Sequence, residues 1–113
     1  MLPLWQRSCG EHRAAEMASL RLKVSGSVQG VGFRWFARGA ARRLGLDGWV
    51  RNSDDGSVEI AVGGDDALVE RFIAEVERGP DGSRVEKLSR FPTAVGERLP
   101  RPFIILDQPS RAR

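Results

Sequence analysis

The segment Gly26-Ser27-Val28-Gln29-Gly30-Val31-Gly32-Phe33-Arg34 has the composition of an anion cradle. It lies between an alternating apolar run and a helical one, so its glycines feed a helix N-terminus. The first helical turn leaves N–H groups unpaired, and the helix dipole adds partial positive charge beside them. Glycines let the backbone curl around a small anion. Arg34 contributes a planar fork matched to phosphate or carboxylate oxygens. A cation in a first turn opposes the dipole, so helix stability alone gives no reason for it. The expected donors are the backbone N–H groups of Val28, Gln29, Gly30, Val31, Gly32 and Phe33, with Arg34 at the mouth. The Gln29 side chain either lines the cradle or satisfies the loop. A plain strand–helix connection is the competing reading. No Lys-Ser/Thr pair follows the glycines, so the segment is not a P-loop. Its glycine spacing is not that of a dinucleotide fingerprint either.

A second segment, Gly48-Trp49-Val50-Arg51-Asn52, ends in a turn cluster, Ser53-Asp54-Asp55-Gly56. Asn52 closes a strand before that turn. Asn is common there for turn reasons, and it is equally able to donate to and accept from a water molecule. Asp54 and Asp55 are expected to be solvated turn carboxylates, and no metal site is assigned to them. Trp49 is expected in the core or as partial cover of the hairpin. Arg38 and Arg42, spaced by four from Arg34, are expected on the solvated helix face.

What is missing narrows the chemistry further. The 113-residue chain carries one Cys and one His, no Tyr, and a net charge of +3. Cys9 and His12 both precede residue 20, so residues 20–107 contain no Cys, His or Tyr. Thiolate nucleophiles, imidazole bases and Ser-His pairs are excluded from that span. One Cys and one His cannot form an internal disulfide or a closed zinc site, and no cofactor is expected. The basic excess sits at Arg111 and Arg113, leaving residues 20–107 at a net charge of +1. A near-neutral body argues against a phosphate-backbone footprint, so no nucleic-acid partner is expected. No apolar run approaches the roughly 20 residues of a membrane helix, so no membrane partner is expected.

These residues need elements to hold them. Leu20, Leu22 and Val24 alternate with polar residues and predict a strand. Phe33, Phe36, Ala37, Ala40, Ala41 and Leu44 share one helical face, ended by Gly45. Gly39 inside that helix is expected where another backbone approaches. Leu46–Asn52 predicts a second strand, and the Asp-Gly turn leads to a third at Val58, Ile60 and Val62. Gly63 and Gly64 are expected to break it. Asp65 or Asp66 is expected to cap a second helix carrying Leu68, Val69, Phe72, Ile73 and Val76, stopped by Gly79-Pro80. Val85–Phe91 predicts a weaker strand, residues 92–101 a loop, and Phe103–Leu106 a short final strand. The order is that of an α+β, ferredoxin-like βαββαβ sandwich: a mainly antiparallel sheet, two helices on one face, and a short additional C-terminal strand. Residues 1–19 are expected to be an N-terminal extension, disordered or preceding an internal start at Met17. Residues 20–107 form the domain, and 108–113 a basic tail.

Gly26 to Arg34, followed by Gly48-Trp49-Val50-Arg51-Asn52 and then Gly56, Val58 and Gly64, resembles the acylphosphatase family. Two segments in order make the resemblance more specific than either alone, and it extends over roughly residues 20–106. It implies a ferredoxin-like fold and metal-free hydrolysis of a small-molecule acyl phosphate to a carboxylate and inorganic phosphate. The product phosphate would then be a competitive inhibitor. It implies that Arg34 binds the phosphate and that Asn52 positions the attacking water. A cytoplasmic monomer is the accompanying expectation. The alternative is a phosphate-binding regulatory or carrier domain of the same fold, without physiological turnover.

Overall fold

Five segments of the chain join one sheet, the central ones through alternating apolar side chains, and two amphipathic segments cover a single face of it. The structure, a computed structural model, describes residues 17–93 and 98–106. The strands are β1 (Met17–Ser27), β2 (Asp47–Asn52), β3 (Val58–Asp65), β4 (Arg84–Pro92) and β5 (Ile104–Ile105). The helices are α1 (Phe33–Arg43) and α2 (Asp66–Arg78). The sheet order is β4-β1-β3-β2-β5. All pairs are antiparallel except the short β2–β5 pair. This is the expected ferredoxin-like α+β architecture, with its extra C-terminal strand. The extension and the basic tail lie outside the described residues, except that residues 17–19 open β1.

The strand period of two sorts the side chains by face. Leu22, Val24, Val50, Val58, Ile60 and Val62 are buried on the helix side. They meet Phe33, Ala37, Ala40 and Ala41 of α1 and Val69, Phe72, Ile73 and Val76 of α2 in one core. Phe103, just before β5, is also buried and lies against Phe72, with ring centroids 6.0 Å apart. The opposite face carries Arg21, Lys23, Trp49, Arg51 and Glu59. There the guanidinium groups of Arg21 and Arg51 lie 5.1 and 4.8 Å from the Trp49 ring centroid. Arg51 is held in turn by Glu59 at 2.7 Å. Trp49 is thus buried, as one expectation had it, but on the face away from the helix-side core.

Two details differ from the sequence expectations and a third adds to them. Gly63 and Gly64 do not break β3, which runs on to Asp65. Because β1 begins at Met17, these glycines find partners in Ser19 and Ala18. A side chain at Gly63 would meet Leu99 Cδ1 at 2.7 Å, so glycine there admits the returning chain rather than ending the strand. Gly39 is exposed, and among the described residues no other element comes within 4 Å of where its Cβ would stand, so no second backbone approaches it there. Arg42 is exposed, as expected, and its Nε also donates to the Phe103 carbonyl at 2.9 Å, tying α1 to the segment entering β5. The edge strand β4, where alternation is weak, is pinned to α2 by a two-point pair between Arg90 and Glu70, at 2.8 and 3.0 Å.

Candidate active site

The register brings the two singled-out segments to one end of the sheet. β1 and β2 each pair antiparallel with β3, so they run parallel to one another and end together. Val24 of β1 and Asn52 of β2 face the same residue, Val58, from opposite sides. With strands about 4.8 Å apart, Asn52 lies two strand spacings from the base of the glycine loop. Asn52 shares strand parity with Val50, so it belongs to the helix side, where α1 begins. Its Oδ1 is buried and has no hydrogen-bond partner among the described residues. A buried carbonyl oxygen left unpaired is costly, which marks it as an acceptor awaiting a donor.

The loop is anchored at both ends by core residues. Val28 and Phe33 are each 1% exposed. Val28 spends its N–H within the loop, donating to the Gly26 carbonyl at 3.0 Å, so it anchors the loop and offers no cradle donor. Val31 packs against the core edge. Gly30 and Gly32 are exposed, with φ of 78° and 77°, values that side-chain-bearing residues rarely adopt. No atom lies within 4 Å of either would-be Cβ, so the loop needs these glycines for backbone shape and leaves open space over them.

The two helices begin in opposite ways. Asp65 caps α2, accepting from the N–H groups of Ala67 and Leu68 at 3.0 and 3.4 Å, and Asp66 places an acid in its first turn. Gly32 is the N-cap of α1, with no side-chain cap and no acidic residue in the first turn. Arg34 stands there instead, half-buried, and among the described residues nothing forms a hydrogen bond or ion pair with it. An uncapped helix start, an open glycine loop and an unpaired guanidinium converge on one place. Their combined chemistry is anion binding.

One residue does more than the sequence disclosed. Gln29 turns its side chain toward the β2–β3 hairpin, where Nε2 donates to the carbonyls of Ser53 and Ser57, both at 2.8 Å. No local pattern predicts a contact across 24 and 28 residues. At the hairpin tip, Asp55 accepts from Ser57 Oγ at 2.6 Å and from its N–H at 3.0 Å. It also pairs with Lys23 at 2.8 Å. Lys23, followed by the two Ser57 donors, holds the Asp55 carboxyl well below the usual carboxylate range, and Asp55 raises Lys23 in return. Among the described residues, no group of three or more His, Cys, Asp or Glu is placed to hold a metal ion. A separate cleft of about 410 Å³, lined by Arg42, Asp47 and Arg101 among others, lies at the opposite end of the sheet and contains none of these residues.

Comparison with known proteins bears on the family and the fold. The family described as Acylphosphatase matches residues 20–100. An acylphosphatase from Rhizobium etli is 44% identical over 87 residues, covering 77% of this chain and 92% of that one. The solved structure of an acylphosphatase from Coxiella burnetii superposes with a TM-score of 0.74 at 28% identity, covering 83% of this chain and 97% of the other. The crystal structure of acylphosphatase from Bacillus subtilis gives 0.69 at 36% identity, over 80% and 98%.

Proposed function

The chain belongs to the acylphosphatase family, enzymes that hydrolyse acyl phosphates, and from that premise we propose how its own residues carry the reaction. Arg34 and the loop N–H groups bind the phosphoryl oxygens, and Asn52 holds the attacking water. The observation that carries this is an Arg34 at an uncapped helix start and a buried Asn52 Oδ1 at the same sheet end, neither with a hydrogen-bond partner among the described residues.

The chemistry suits a body without His. Water attacks phosphorus in line, its oxygen forming the new P–O bond. The bond from phosphorus to the acyl oxygen breaks, and its electron pair leaves on a carboxylate. That leaving group is the conjugate base of an acid with pKa near 4–5, comparable to a side-chain carboxyl at about 4.3. It departs without a proton donor. One water proton stays on the product phosphate and the other passes to solvent. Phosphoryl transfer then needs positioning and neutralisation of the equatorial oxygens. Arg34 and the first-turn N–H groups supply the neutralisation. Asn52 supplies orientation, converting an encounter with water into a positioned attack. No metal or cofactor enters these steps.

The test is hydrolysis of benzoyl phosphate by the full chain, with and without EDTA, and with inorganic phosphate as inhibitor. Turnover unaffected by EDTA and inhibited competitively by phosphate is expected. Phosphate binding without turnover would instead make this a carrier or regulatory domain. Loss of activity on EDTA treatment would overturn the metal-free route. We place the protein in the cytoplasm as a monomer; sedimentation should give one species near 12.5 kDa.

A further inference from the structure

We propose that Gln29 is a positioning residue that sets the hairpin carrying Asn52 against the phosphate loop. The proposal rests on the roles given above to Arg34 and Asn52. Its basis is a single carboxamide that spends its NH2 group on two carbonyls, Ser53 O and Ser57 O, at 2.8 Å each. Those carbonyls stand on the two legs of the hairpin. Ser53 directly follows Asn52, and Ser57 directly precedes Val58, the residue paired with Asn52. Gln29 therefore grips the hairpin one residue beyond Asn52 on both legs at once. A primary amide suits this task, having two hydrogens in one plane and no charge.

Neither partner depends on the contact for its own shape. The loop is fixed by Val28 and Phe33 in the core and by the Val28 N–H bond to Gly26. The hairpin closes through Ser53 N–H to Ser57 O at 2.8 Å and Gly56 N–H to Ser53 O at 3.2 Å. Asp55 and Lys23 brace its tip. What Gln29 adds is the relative placement of two preformed pieces, one holding the phosphoryl group and the other holding the water. In-line attack is sensitive to that placement, where a shift of about 1 Å costs roughly 100-fold.

Two variants of the full chain test this. Gln29→Met keeps the length and removes both donors. It should lower kcat by about 10- to 100-fold, while the inhibition constant of inorganic phosphate changes by less than about threefold and Tm is nearly unchanged. Gln29→Glu turns a carboxylate toward two carbonyl oxygens; once protonated, it regains one donor. Its kcat relative to wild type should rise as pH falls from about 8 to about 5, whereas Gln29→Met shows no such recovery. Wild-type kcat in Gln29→Met overturns the proposal. So does a parallel loss of kcat and phosphate affinity, which would make Gln29 part of the phosphate site or of the fold. A Gln29→Glu profile parallel to wild type overturns it as well. If the wild type hydrolyses no acyl phosphate, the reaction assignment fails with it; an active wild type with an unaffected Gln29→Met removes only the role of Gln29.

Discussion

Arg34 combines charge with shape, and the two are separable by substitution. Its guanidinium stands at a helix start whose dipole already favours anions, so a phosphoryl group meets both a fixed positive field and a planar pair of donors. Lysine would keep the charge and lose the fork. Arg34→Lys is therefore expected to lower kcat/KM by about 100-fold or more and to weaken phosphate inhibition, and Arg34→Ala to do both more severely. Equal activity of Lys and Arg at this position would show that only charge matters. Asp55 and Lys23 illustrate a different use of charge, in holding the hairpin tip. The folded-state carboxyl pKa is depressed, so its contribution is complete above the unfolded value of 3.8 and is lost as pH falls through the lower folded value. The raised Lys23 contributes fully below its unfolded value of 10.5 and loses this as pH rises past it. Asp55→Asn should then destabilise the fold equally at about pH 5 and about pH 8, the difference shrinking only below 3.8 or above 10.5. Urea denaturation across pH measures this, and a change centred near neutrality would contradict the assignment.

At the scale of elements, the contrast between the two helix starts separates stability from function. α2 is capped by Asp65, and removing that cap with Asp65→Ala should cost about 1 kcal/mol of stability with kcat unaltered, as read by urea denaturation and a steady-state assay. α1 has no side-chain cap at Gly32, and the proposed reaction assigns its first-turn N–H groups to the phosphoryl oxygens. Much of this was legible in the sequence. Alternation at Leu20, Leu22 and Val24 and the helical spacing of Phe33, Ala37 and Ala41 report burial directly, because a face hidden from water must be apolar. The glycine loop, Arg34 and Asn52 were visible because their residue types fit one chemistry. Less legible were features that depend on distant partners. Gly63 and Gly64 look like a break until β1 extends to pair with them. Gln29 looks like loop filler until the hairpin folds against it. Arg42 is solvated as it looks, but its bond to the Phe103 carbonyl depends on a partner 61 residues away.

At the scale of the whole molecule, the fold places every proposed functional group at one sheet end and leaves its two faces to stability. The helix-covered face holds the core, and the other is sealed around Trp49 by Arg21, Arg51 and Glu59. Because β1 and β2 run parallel on either side of β3, the loop that follows one and the Asn that ends the other lie at the same sheet end. The division of labour between them is the central claim: Arg34 and the loop bind phosphate, and Asn52 serves only the water. The most direct measurement compares Asn52→Ala with wild type for both kcat on benzoyl phosphate and the inhibition constant of inorganic phosphate. A fall in kcat of about 100-fold or more, with phosphate inhibition unchanged within about threefold, is the expected result. Wild-type turnover in Asn52→Ala, or a loss of phosphate inhibition matching the loss of turnover, would contradict it.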